Sequence, residues 1–156
     1  MVFLSDHGEE FFDHGDFEHG HTLYDELLKV PMVIEAPSGA RGGAGYGHSQ
    51  SLEAAVTMIP GLKVVAPSTC ADAKGLLKSA VRDEDPVLFM EPKRIYRAFR
   101  ESVPAESFTV PLGKAAVARE GTDVSLISWG AMVRVCLDAS EVLARQNVSA
   151  EVIDLR

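Results

Sequence analysis

Cysteine is nearly absent: Cys70 and Cys136 stand alone, in the contexts STCADAK and RVCLDAS, with no CxxC or other ligand spacing. That excludes a disulfide framework and a cysteine-built zinc site, and leaves buried reduced thiols as the plain reading. No apolar run approaches the roughly 20 residues needed to cross a bilayer, and the Met1 end reaches Asp6 too soon for the apolar part of a signal peptide. The expectation is a soluble, unexported, cytoplasmic protein without a membrane partner. Basic residues do not cluster among exposed aromatics, and the sequence pI is near 5.1, so a phosphate-backbone footprint and a nucleic-acid partner are not expected. Proline, serine and glutamine are not in excess either. With 46% hydrophobic and 24% charged residues the chain has the composition of a folded domain, and 156 residues suffice for one domain or two small ones.

What is present is unevenly spread. Residues 1–37 hold four of the five histidines and nine carboxylates against one base, Lys29, a net charge of −8. The whole chain is also −8, so residues 38–156 balance, with 14 acids against 14 bases. Two differently built pieces are joined.

Val2-Phe3-Leu4 suits a short strand that hands over to the polar loop Ser5-Asp6-His7-Gly8, and open α/β sheets place ligands at such strand ends. Met32-Val33-Ile34 reads as a buried strand running into a glycine-rich loop at 37–45. His48-Ser49-Gln50-Ser51 follows, then a short helix through Met58 and a Pro60-Gly61 turn into a strand at 63–66. From a cap at Ser68, the apolar positions Ala73, Leu76, Leu77, Ala80 and Val81 recur at helical spacing and predict a helix over 70–82. A strand at 87–90 and a polar, Arg- and Pro-rich stretch at 92–111 come next. A second unit follows: strands at 115–118 and 124–127, a helix with Val133, Leu137, Val142 and Leu143 inward, and a last strand at 150–153. Such alternation implies parallel βαβ units and an α/β fold.

The glycine-rich loop has neither the lysine of a G-x-x-x-x-G-K-[ST] loop nor G-x-G-x-x-G spacing, so a phosphate cradle is not expected there. Lys93, Arg94, Arg97 and Arg100 form a basic stretch, read as solvated or as a subunit contact. His7, His14, His19 and His21 could bind a transition metal weakly, since imidazole suits zinc, copper and nickel; a solvated acidic segment is the plainer alternative.

SDHGEE and then HGHTLYDELLKVPMVIEAP resemble the C-terminal part of the sulfatase catalytic domain, an alkaline-phosphatase-like fold. The resemblance implies that Asp6 and His7 match a divalent-metal pair and that His21 matches a sulfate-contacting, substrate-binding position. No C/S-x-P-x-R nucleophile motif accompanies them, and two ligands are too few for a hard divalent cation, so sulfatase activity is not expected.

From about Val30 onward the chain resembles the beta subunit of the thiamine-diphosphate-dependent 2-oxoacid dehydrogenase decarboxylase, of the pyruvate and branched-chain type. The resemblance is carried by VPMVIEAPSGARGGAGYGHSQSLEA, PGLKVVAPSTCADAKGLLKSAVRDEDPVLFMEPKRIYR and VPLGKAAVAREGTDVSLISWGAMVRVCLDASEVLARQNVSAEVIDLR. It implies a transketolase-like arrangement, with a fragment of the pyrimidine-binding domain at 38–107 and the start of the C-terminal domain at 108–156. It also implies a catalytic role for His48, whose imidazole would move protons for decarboxylation or acyl transfer to a lipoyl arm; a histidine bonded to loop backbone is the plain alternative. A potassium site of main-chain oxygens is implied at Ala80, Asp83 and Asp85, against an ordinary helix C-terminus. The implied cofactor is thiamine diphosphate, held only with an alpha subunit as partner. The family's activating glutamate lies upstream, where this chain carries its acidic front. The combined expectation is a chimera joined near VPMVIEAP, inactive alone, whose exposed sheet edges and apolar surface lead it to associate as a homo-oligomer or to repack its α/β fold. A non-enzymatic folded chimera with incidental metal binding and a sulfatase-type hydrolase remnant are the competing readings.

Overall fold

The computed structural model describes residues 2–4, 10–11, 17–18, 32–40, 43 and 45–156, the first three segments by backbone pairing alone. Nine strands and three α-helices make up the described chain: β1 (Val2–Leu4), β2 (Glu10–Phe11), β3 (Phe17–Glu18), β4 (Met32–Ser38), α1 (Glu53–Val56), β5 (Lys63–Val65), α2 (Cys70–Ala80), β6 (Val87–Pro92), β7 (Ala116–Arg119), β8 (Val124–Ser128), α3 (Ala131–Ala144) and β9 (Ala150–Asp154). Among the described residues β2 and β3 pair only with each other, antiparallel.

The first unit is a four-stranded sheet in the order β1-β4-β6-β5. β4 and β5 both run parallel to β6, with Val33 opposite Val87 and Val65 opposite Phe89. Because side chains alternate across a strand, Val33, Val65, Val87 and Phe89 face one way and meet Leu76 and Ala80 of α2. Leu88 and Met90 face the other way, against Ile34, Ala36, Val56 and Val64. Both faces of the parallel sheet are therefore covered, as such sheets require. Leu76 is fully buried, and a leucine removed from water stabilises by roughly 1.5–3 kcal/mol.

α2 begins at Thr69, whose side-chain oxygen accepts from the Asp72 amide at 3.0 Å, with Asp72 in the first turn and Lys78 in the last. Both charges suit the helix dipole. Residues 104–112 lie along this helix. Lys74 Nζ donates to the main-chain oxygens of Pro104 and Glu106 and sits 5.0 Å from the Phe108 ring centre. Val110 donates its amide to Gly75 O at 3.1 Å, and Val110 and Leu112 close the core on that side. A stretch that reads as a polar connector thus contributes apolar side chains to the first core.

In the second unit β8, α3 and β9 form a βαβ unit, and Leu126 lies opposite Val152. β7 adds on the far edge of β9, antiparallel, with an irregularity between Val117 and Arg119. Besides β2 with β3, the pairings β1 with β4 and β7 with β9 run antiparallel, so the two larger sheets are mixed where alternation alone implied parallel units throughout.

The units meet along a short seam. Gly130, which precedes α3 at φ 53°, lies so close to Pro92 that a Cβ would come within 2.9 Å of its Cγ. Only glycine tolerates both that backbone and that approach.

Candidate functional site

β4 and β6 end side by side, with Ser38 opposite Pro92. Chain leaving the C-terminal ends of parallel strands forms the usual ligand crevice of such sheets. The glycine-rich loop leaves β4 here and returns as a 3₁₀ turn, Tyr46–His48, so His48 stands over these strand ends. A cleft of about 540 Å³ opens at this point, walled by Ala36, Pro37, Leu52 and Met90 and edged by His48 and Lys93.

Three long-range hydrogen bonds fix the loop. Lys93 Nζ donates to the main-chain oxygen of His48. Gly39 donates its amide to Gln50 O at 2.8 Å, closing the loop at its base. Ser38 Oγ donates to Glu53 Oε1 at 2.7 Å, so the Glu53 carboxylate is engaged by a hydroxyl. The His48 side chain itself is exposed and free to meet a ligand.

One strand-step back, Glu35 and Glu91 touch. Their shared hydrogen bond holds the Glu35 carboxyl above the usual glutamate range, with burial and the Glu91 charge adding to it. Tyr96 Oη donates to Glu91 Oε2 at 2.7 Å, and its phenol is pushed well up, first by burial and then by that bond.

The expected potassium turn is built as follows. Asp83 donates its amide to Ala80 O at 3.2 Å, and Asp85 donates its amide to Asp83 Oδ1 at 2.9 Å. Lys63 Nζ bridges Asp83 at 2.7 Å and Asp85 at 3.0 Å, and this ammonium holds Asp83 below the usual carboxylate range. The carboxylates are thereby engaged, and a monovalent cation at this turn would have to use main-chain oxygens. Asp6, His7 and His21 lie outside the described residues. Among the described residues no group of three or more His, Cys, Asp or Glu side chains could hold a metal ion.

β1 bears on the front all the same. Leu4 pairs with Met32, the first residue of β4. The chain therefore leaves β1 at the opposite end of the sheet from His48.

A second polar cluster, missed from sequence, lies at the seam. Ser68 Oγ donates to Asp154 Oδ2, and the Arg156 amide donates to Asp154 Oδ1 at 3.0 Å. Arg156 Nε lies 3.3 Å from Asp72 Oδ1, too poorly aligned for a hydrogen bond. Thr69 Oγ1 donates to the other Asp72 oxygen at 2.8 Å. Burial pushes the Asp154 carboxyl up, against the Ser68 and Arg156 donors.

Comparison with known proteins matches the family model described as transketolase, pyrimidine binding domain, over residues 20–98, and that described as transketolase, C-terminal domain, over residues 113–156. The pyruvate dehydrogenase E1 component subunit beta of Acholeplasma laidlawii is 50% identical over 127 residues, covering 81% of this chain and 39% of that protein. The corresponding subunit of Bacillus subtilis is 52% identical over 126 residues, with the same coverage. The 2-oxoisovalerate dehydrogenase subunit beta of Bacillus subtilis is also 52% identical over 126 residues, covering 81% of this chain and 38% of that one. Among solved structures, an inactive β4 tetramer of a split-gene transketolase superposes with a TM-score of 0.61 at 25% identity, over 78% of this chain and 38% of that one. A transketolase from Pichia stipitis gives a TM-score of 0.61 at 18% identity, over 81% of this chain and 19% of that one, a likeness of fold. The chain spans about two fifths of the length of the curated relatives it matches.

Proposed function

The chain belongs to the transketolase pyrimidine-binding-domain family, and from that premise we propose that it is part of a 2-oxoacid dehydrogenase beta subunit that works only with an alpha subunit and thiamine diphosphate. The observation that carries this is the placement of His48 on a loop clamped over the ends of β4 and β6.

The cleft fits one side of the cofactor. Its apolar wall suits a ring, and His48 supplies a group able to take or give a proton. Its lining has neither a carboxylate to activate a pyrimidine nor an arginine or magnesium-binding cluster for a diphosphate. Those groups would come from other chain. When bound, thiamine diphosphate would supply the carbanion chemistry that a 2-oxoacid decarboxylation needs. This chain's part is narrower: His48 holds or moves a proton at a ring nitrogen, Lys93 and the Gly39–Gln50 bond keep its loop in place, and the apolar wall excludes water. The turn at Ala80, Asp83 and Asp85 is our candidate for a potassium ion on main-chain oxygens, stiffened by Lys63. The domain boundary at 107/108, the cytoplasmic setting and self-association into a homo-oligomer belong to the same proposal. Val117 and Ile127, half-exposed on one face of the second sheet, support the last.

The sulfatase-like reading of residues 1–37, with Asp6 and His7 as divalent-metal ligands and His21 as a sulfate contact, rests on sequence pattern. It overlaps the family match from residue 20 onward, so the two readings compete for residues 20–37.

The test is reconstitution. The chain is mixed with an alpha subunit from a relative, thiamine diphosphate, pyruvate or 2-oxoisovalerate, and an artificial electron acceptor. Turnover or alpha-subunit binding that His48→Ala weakens supports the proposal; neither binding nor turnover, with folded protein, removes it. An aryl sulfate assay on the chain and on His21→Ala settles the front separately.

A further inference from the structure

We infer that Asp154 is a proton-operated latch between the two units: protonated, it seats the second unit firmly on the first, and ionised, it loosens the seam. Ser68 and Asp154 are 86 residues apart in sequence, and both are buried where the chain leaving β5 meets the end of β9. Asp154 is 2% exposed. The groups around it come from every neighbouring element. Ser68 precedes α2, Asp72 sits in its first turn, and Arg156 follows β9; Arg100, Glu101 and Arg134 line the same cleft of about 600 Å³.

The two protonation states use these neighbours differently. The ionised carboxylate accepts from Ser68 and from the Arg156 amide, but it is buried and faces the Asp72 charge, with the Arg156 guanidinium as partial compensation. The neutral acid keeps both contacts. One oxygen still accepts from the Arg156 amide, and the new O–H can donate to Ser68 Oγ. Its proton comes from water and returns to it. The neutral form therefore retains the bonds and sheds the cost of a buried charge. Beside it the seam holds Gly130 against Pro92 and Arg156 against Asp72, so the balance at Asp154 is felt there. The latch is independent of the proposed activity.

The chain carries its own reporter. Trp129 is its one tryptophan; it adjoins Gly130 and follows Ser128, which pairs with Asp154. Trp129 emission should be followed from about pH 4 to about pH 8, with far-ultraviolet dichroism alongside. The wild-type chain should show a transition above the ordinary aspartate range with unchanged dichroism. Asp154→Asn, which mimics the neutral acid, should abolish it and hold emission at the acid-side value. Ser68→Ala, which removes a donor to the carboxylate, should move the midpoint up by about one pH unit. A flat wild-type profile, an unchanged transition in Asp154→Asn, a midpoint unmoved in Ser68→Ala, or loss of dichroism with the emission change would each overturn the latch.

Discussion

Lys93 Nζ donates to the main-chain oxygen of His48, joining the residue just after β6 to the far end of the loop that leaves β4. A lysine used this way positions a backbone and leaves the imidazole free. Lys93→Met keeps the aliphatic stem and removes the donor. The loop should open locally at a cost lower by about 1 kcal/mol, and amide exchange at residues 47–50 should quicken about fivefold. Global melting should barely move. Exchange as slow as in the wild type would show that the lysine does not hold the loop.

Gly75 reverses the usual rule for helical glycine. Replacing a glycine inside a helix by alanine ordinarily gains roughly 0.5–1 kcal/mol. Here the new Cβ would lie 2.5 Å from Val110 Cγ2 and 3.0 Å from a Phe108 ring carbon. Residues 108–110 would have to leave the helix surface, breaking the Val110 N to Gly75 O bond. Gly75→Ala should therefore destabilise by about 1–3 kcal/mol in urea unfolding, and a stabilised variant would show that the 104–112 segment does not pack on α2.

The Glu35–Glu91 contact makes a pH prediction. Glu35 is raised in the folded state, chiefly by its hydrogen bond to Glu91, so the folded chain binds its proton more tightly than the unfolded chain does. Stability from this group is full at pH values below the ordinary glutamate range. It falls as pH rises from there through the raised value, then levels. Glu35→Gln, which keeps a donor to Glu91, should flatten this part of the melting-temperature profile and be at least as stable as the wild type near neutrality. An equal slope in both proteins would assign it to other groups.

Much of this was legible in sequence. Helical spacing gave α2 almost to its ends, and short continuous apolar runs gave the starts of β4 and β6. The cap was misread by one residue: Ser68 was expected to cap α2, but Thr69 does, and Ser68 spends its hydroxyl on Asp154. No local pattern separates those uses, because the deciding partner is 86 residues away. Strand direction was equally hidden, since the apolar pattern of β7 is the same whichever way it pairs with β9. His48 was found through a family pattern, whereas Lys93 was read only as part of a basic stretch. The contact that makes it specific spans 45 residues.

Thr69 links helix stability to the seam. Its hydroxyl accepts from the Asp72 amide and donates to Asp72 Oδ2, while the other Asp72 oxygen faces Arg156. Thr69→Ala removes the cap, which costs about 1 kcal/mol. It also frees the Asp72 carboxylate to turn, so the Arg156 contact should weaken with it. Thr69→Ser keeps both bonds and should stay within about 0.5 kcal/mol of the wild type. Coupling is the sharper measurement. If Asp72 is shared between cap and seam, Thr69→Ala and Arg156→Met together should destabilise less than the sum of the single changes, by more than the roughly 0.3–0.5 kcal/mol seen for independent sites. Additive urea-unfolding energies would mean that the cap and the ion pair use Asp72 without feeling one another.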